Sequence, residues 1–337
     1  VLGHDSMLAA EEPLGERLGP FIFWPLLVLL LGVLVWALAK RSRQGGRART
    51  AGQGTDWTRP EAYAEHHRVV WSQDPESFTP GPLHWPLAVA AVFGVCSGDP
   101  WDELAFRNLD NPREGLTEAW GIRSRPQLLS RLHWILREGH RVDLAEEVAE
   151  WSSLDQQTAT RLLQESRSQG SEEARERAWR LEQVWVDARG LREVRFEAWD
   201  LVRAAMLTRA GYSLGWLTEP EAVDTLHLIS AELRHTFTSW EELGDHFLRA
   251  RWYWASNSDA ASRQEDAHDA SRQSALLDPA RGPWAYVPWA QPIPDSRAMI
   301  ADAMVADELL VEVPPYSPTR LAEVIDGVTA ERLADRP

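Results

Sequence analysis

Apolar residues recur at intervals of three and four along most of the chain, and almost nowhere with the alternation that marks a half-buried strand. Leu128, Leu129, Leu132, Ile135 and Leu136 form one such stripe, with Ser124 at its cap position and Gly139 closing it. The same periodicity predicts helices over residues 60–71, 144–151, 155–168 and 194–210. Residues 83–96 are apolar on all sides but only fourteen long, which predicts a buried core helix rather than a membrane span. Thr218-Glu219-Pro220-Glu221 and Ser239-Trp240-Glu241-Glu242 match the capping box, so helices are expected to start at Glu219 and Trp240. Between residues 171 and 188 acids and arginines interleave around Trp179 and Trp185, the pattern of a solvated helix docked by one edge. Residues 258–274 are polar and read as an exposed helix or a mobile loop, and 283–294 as an irregular Trp/Pro-rich segment. The one strand candidate is 309–313. The pattern predicts an all-α, multi-helix globular domain.

Residues 21–39 stand apart: nineteen residues without a charge, long enough at 1.5 Å per residue to span roughly 28 Å of bilayer. Trp24 and Trp36 sit near its ends, where indoles favour the headgroup boundary. Asp5, Glu11, Glu12 and Glu16 precede it, and Lys40, Arg41, Arg43, Arg47 and Arg49 follow it. This predicts a single-pass membrane protein with its N-terminus outside and its C-terminal body cytoplasmic. The expected plan is a short extracytoplasmic N-terminus (1–20), a transmembrane helix (21–39), a basic flexible linker (40–58), an all-α cytoplasmic domain (59–313) and a marginally ordered tail (314–337). Lipid contact is expected through residues 21–49.

Charge and composition narrow the chemistry. Removing the four acids and six bases of residues 1–49 leaves 47 acids against 29 bases, a net charge of −18 on the body. Such a surface repels nucleic acid. Lys40 is the only lysine, so the body has no P-loop or Schiff-base lysine. Cys96 is the only cysteine, which excludes an intrachain disulfide and a Cys-rich zinc site; within its apolar run it reads as a buried, inert thiol. The 18 tryptophans fall at helical spacings and read as core and helix-junction residues.

Several constellations carry candidate chemistry. Glu138-Gly139-His140-Arg141 lies at a helix end; His140 and Arg141 either satisfy terminal carbonyls or bind an anion. Trp199, Asp200 and Arg203 share a helix face, where Asp200 and Arg203 can pair and Trp199 and Arg203 can stack, as an interhelical bolt or one wall of a pocket with His140 and Arg251. Gly211-Tyr212-Ser213-Leu214-Gly215 spells a nucleophile elbow but lacks the strand before it, so it reads as an interhelical turn. Glu232-Leu233-Arg234-His235 and Asp224 with His227 lack the further helices a di-metal bundle needs. His66-His67 and Asp266-Ala267-His268-Asp269 read as solvated surface. No metal or cofactor is assigned.

Trp120-Gly121-Ile122, Glu138-Gly139-His140-Arg141, Ala198-Trp199-Asp200 with Arg203, Gly211-Tyr212, Ser239-Trp240 and Arg251 with Trp254 together resemble the signature of a bacterial domain of unknown function, number 1266, over roughly residues 87–289. Ala250 departs from the glycine expected before Arg251. The resemblance implies a domain and no mechanism. With no assembled catalytic set in view, the leading expectation is a membrane-tethered interaction or sensing module recruiting a basic protein partner. An enzyme or ligand-binding domain acting on an anionic small molecule through His140, Asp200, Arg203 and Arg251 is the alternative, and a toxin or defence component a further one.

Overall fold

The computed structural model describes residues 58–64, 66–312 and 319–335. The expected membrane segment 21–39, its basic collar and nearly all of the linker lie outside the described residues. Among the described residues, no helix is long and apolar enough to cross a membrane.

In chain order the α-helices are α1 His84–Gly94, α2 Asp110–Trp120, α3 Arg125–Arg137, α4 Gly139–Ser152, α5 Gln156–Ser168, α6 Glu172–Trp185, α7 Glu197–Ser213, α8 Glu219–Thr236, α9 Trp240–Ala255, α10 Asp259–Leu277, α11 Pro283–Tyr286, α12 Met299–Ala306 and α13 Arg320–Ala334. Short 3₁₀ turns occupy Pro60–Tyr63, Pro75–Ser77 and Ala188–Glu193. The all-α expectation holds.

The middle of the fold is α7, against which α1, α2, α3, α4, α8 and α9 all pack. Its small residues Ala198, Ala204, Ala205 and Ala210 let neighbouring backbones approach, while Leu201, Val202 and Leu207 fill the space between. A helix covered on every side must also bury its polar positions, so Asp200, Arg203, Thr208 and Arg209 are buried too. Arg209 meets this constraint by donating to the carbonyls of Pro100, Glu103 and Leu104 and lying over the Phe106 ring, which ties the loop after α1 to α7.

The caps mostly follow the sequence. Thr218 completes its box with Glu221. Ser239 accepts from the Glu242 amide, but the Glu242 carboxylate turns back to Thr238 instead. Ser124 occupies the cap position of α3 without a capping bond. Among the described residues, tryptophans serve as core and junction residues as expected: Trp85, Trp240, Trp284 and Trp289 cluster together, and the Trp240 indole donates to the Val287 carbonyl at 2.7 Å.

Other expectations need correction. The helix foreseen over 60–71 stops after one 3₁₀ turn. Beyond it the Arg68 amide donates to Val95 and the Val70 carbonyl accepts from Trp101, so the backbone runs extended against the loop after α1. Segment 258–274 is neither mobile nor fully exposed: α10 buries Ala261, Ala267, Leu276 and the ion pair of Arg272 with Asp269. In the tail expected to be marginally ordered, α13 places Leu321 and Ile325 in the core, and Asp326 takes both ends of the Arg137 guanidinium at 2.7 and 3.0 Å. No strand forms at 309–312, the described part of that candidate. Helices α2 and α12 were unforeseen; the second is capped by Asp224, which accepts from the Arg297 and Met299 amides. Cys96 is exposed rather than buried, because α1 ends two residues before it. His67 and Asp269 are buried rather than solvated, since the extended 67–70 segment and α10 enclose them.

Candidate functional site

The chain leaves α3 at Arg137, turns at Glu138 and starts α4 at once. Gly139 makes this possible at φ +65°, and a Cβ there would overlap the Asp200 carboxylate. Asp200 therefore reaches the open N-terminus of α4 from the neighbouring helix and accepts from the Arg141 amide at 2.8 Å. Helix-terminal amides favour a carboxylate there. The Arg141 guanidinium turns back to the last carbonyls of α3, at Ile135 (2.6 Å) and Leu136 (2.7 Å), with one nitrogen 3.4 Å from Asp200.

Arg203 meets the other carboxylate oxygen, one turn along α7, and its guanidinium lies between the Trp199 ring (4.2 Å) and the Trp120 ring (5.2 Å). It also lies 2.9 Å from His140 Nδ1. A guanidinium only donates, so Nδ1 must accept and the imidazole proton sits on Nε2. Burial would raise the Asp200 carboxyl, but the guanidinium groups of Arg203 and Arg141 outweigh it and hold its pKa below the ordinary 3.8. Burial pulls Arg203 down to about 10, against the attraction of Asp200, which leaves it charged at neutral pH. Burial likewise lowers His140.

The structure brings His140, Arg141, Asp200 and Arg203 together, with Trp120, Gly139 and Trp199 beside them. Arg251 is elsewhere, paired with Glu265 (2.6 Å) and Asp269 (2.8 Å) of α10. Ser239 and Trp240 are a cap and a core ring, and Trp254 packs on Trp199 at 5.1 Å. Ala250 is fully buried and α9 packs closely with its Cβ in place. Ser213 donates to the Arg209 carbonyl and accepts from the Phe106 amide, both at 2.8 Å, as an interhelical turn would have it. Glu232 pairs with Arg320, and His235 is exposed.

Sequence reading missed Arg131. It sits on α3 one turn before Trp134, whose ring it covers at 5.0 Å, while Trp134 stands edge-on to His140 at 4.9 Å. Arg131 makes no ion pair or hydrogen bond among the described residues. Burial alone lowers its pKa. Trp120, Arg131 and Trp134 line an open cleft of about 480 Å³. Arg141 and Arg203 share Asp200, and Arg131 pairs with no carboxylate among the described residues, so this corner carries surplus positive charge on a chain of net −16. The only advance signal was a single arginine interrupting a leucine stripe one turn from a tryptophan.

A family model described as protein of unknown function (DUF1266) matches residues 115–289, slightly more than half of the chain, and the chain belongs to that family. The uncharacterized proteins YbeU and YbeR of Escherichia coli (strain K12) are each 28% identical to it, over 142 and 144 residues. These alignments take in 42% and 43% of this chain and 57% and 58% of the relatives, so the chain spans little more than half the length of the curated relatives it matches. No solved structure matches the chain significantly.

Proposed function

We propose that this member of the DUF1266 family is a ligand-binding helical module whose cleft between Trp120 and Trp134 takes a small anion carrying a flat apolar group. The observation that carries the reading is Arg131: a half-buried guanidinium with no carboxylate partner among the described residues, held on an aromatic face at the rim of an open cleft. A desolvated cation without a counter-ion favours an incoming carboxylate or phosphate, and two indoles offer stacking surfaces for an attached ring. Asp200 is fully buried and committed to Arg203 and the α4 terminus, so it positions cations rather than acting as a base on a bound molecule. With phenyl phosphate as probe, thermal melting of the full chain should rise with saturable concentration dependence, and Arg131→Gln should weaken binding on the order of tenfold or more while leaving the unliganded melt nearly unchanged. Equal affinity in the variant overturns the reading.

A second reading keeps the expectation of a basic protein partner. Asp143, Glu146, Glu150, Glu173 and Glu176 outnumber Arg177 and Arg180 in the lining of a groove of about 520 Å³ between α4 and α6, which supports docking of a basic segment. In this reading residues 21–39 tether the module to a membrane. Binding of an oligolysine peptide should then weaken steeply with salt and fall on Glu146→Arg; insensitivity to both counts against it.

A further inference from the structure

A separate polar cluster joins three parts of the chain. His67 follows the first 3₁₀ turn, Cys96 lies just past α1, and His268 projects from α10, with one potential ligand atom of each within 4.8 Å of the others. His67 is only 6% exposed, yet neither of its ring nitrogens has a hydrogen-bond partner among the described residues. Buried imidazoles are normally satisfied, so a ring with both nitrogens orphaned points to a missing partner. The Tyr63 ring covers the group, stacked on His67 at 5.8 Å and edge-on to His268 at 5.0 Å.

The surroundings match those of a metal ligand set. His268 Nδ1 lies 3.4 Å from the buried Asp269 carboxylate, the outer partner that orients a ligating imidazole and leaves Nε2 for the metal. Arg272 is 3.4 Å from that Nε2 and 3.8 Å from Cys96 Sγ, so its guanidinium holds the place between the two ligand atoms and must turn aside as a metal enters. The positive charges of Arg251 and Arg272 are matched by Glu265 and Asp269, so an entering cation meets no unbalanced positive charge from this pair of arginines.

We propose that His67, Cys96 and His268 form a His₂Cys site for a thiolate-preferring transition metal, with Zn²⁺ the first choice. Imidazole and thiolate suit Zn²⁺, and three protein ligands leave a fourth, exchangeable position. Bond lengths of about 2.0–2.3 Å put tetrahedral ligands roughly 3.5 Å apart, so the three atoms must close by about 1 Å, to which exposed Cys96 can contribute. Binding releases the Cys96 thiol proton to solvent. His67 also lines a cleft of about 1110 Å³ between the 60–75 stretch and α10, which gives solvent and metal a route in. Two of the three ligands precede the family-matched region, so the site would fasten the segment leading into the domain onto its body.

Cobalt titration of the chelator-treated full chain tests this. One equivalent of Co²⁺ should produce a thiolate-to-cobalt charge-transfer band in the near ultraviolet. Cys96→Ser should abolish it, and His67→Gln and His268→Gln should each weaken Co²⁺ binding on the order of tenfold or more. In the unaltered chain, where Cys96 is the sole thiol, stoichiometric Zn²⁺ should slow alkylation by iodoacetamide by a comparable factor. Absence of the band, its survival in Cys96→Ser, or an alkylation rate unmoved by Zn²⁺ overturns the proposal.

Discussion

Asp200→Ala is expected to lower the stability of the domain by about 3–5 kcal/mol, the cost of removing one partner from a buried ionic group. The carboxylate is wholly excluded from solvent, accepts from the Arg141 amide and meets the guanidinium of Arg203. Without it two buried guanidinium groups lose their shared counter-ion and the α4 terminus loses its acceptor. Gly139, the only kind of residue that admits the carboxylate at that turn, would then face a void. Asp200→Asn keeps the size and some acceptor capacity but not the charge, so it should fall between parent and alanine variant. Urea unfolding at neutral pH reads the difference directly. A loss under about 1 kcal/mol for Asp200→Ala would mean that the cations find other acceptors and that α3, α4 and α7 are not joined through this residue.

Acidification should destabilise the protein well before its carboxylates protonate. Burial, with Arg137 alongside and Asp326 opposing, lowers His133 to about 4, and burial is also the leading cause of the lowered His140, His227 and His246. A histidine whose folded pKa is depressed is protonated first in the unfolded chain. Its contribution is therefore complete above the ordinary 6.5 and is lost as pH falls towards the folded value. For His133, 8% exposed inside α3, the gap from 6.5 to about 4 corresponds to on the order of 3 kcal/mol. Asp200 and Asp269, held low by neighbouring cations despite burial, act in the next window: their contribution is present above 3.8 and is lost below it. Urea midpoints should accordingly fall steadily from about pH 6.5 down to pH 4, and His133→Leu should flatten that slope. Midpoints that stay level across this range would show that His133 titrates near its ordinary value.

The sequence made some of this legible because some residues carry their own instructions. Thr218, Ser239 and Gly139 each mark a helix boundary by backbone chemistry alone, and the structure places the boundaries there. The Asp200–Arg203 pair on an apolar helix could be read as buried because nothing else would hold those charges inside. What escaped depended on distant parts of the chain. Arg131 looks like an ordinary solvated position within its stripe and acquires meaning only when α2 brings Trp120 alongside. Arg251 satisfied the same residue-type argument as Arg203, but α10 supplied acids for it that no local pattern assigns. The composition of α10 and α13 suggested solvent-facing segments, whereas interhelical ion pairs, among them Arg251 with Asp269 and Arg137 with Asp326, fix them to the body.

The anion cleft itself is best tested by ¹⁹F spectroscopy of the full chain labelled with 5-fluorotryptophan, with the Trp120 and Trp134 signals assigned from their phenylalanine variants. Titration with phenyl phosphate should shift those two signals together and saturably, and Arg131→Gln should remove the response. Shifts confined to other tryptophans, or an undiminished response in Arg131→Gln, would contradict the assignment of this cleft as the ligand site.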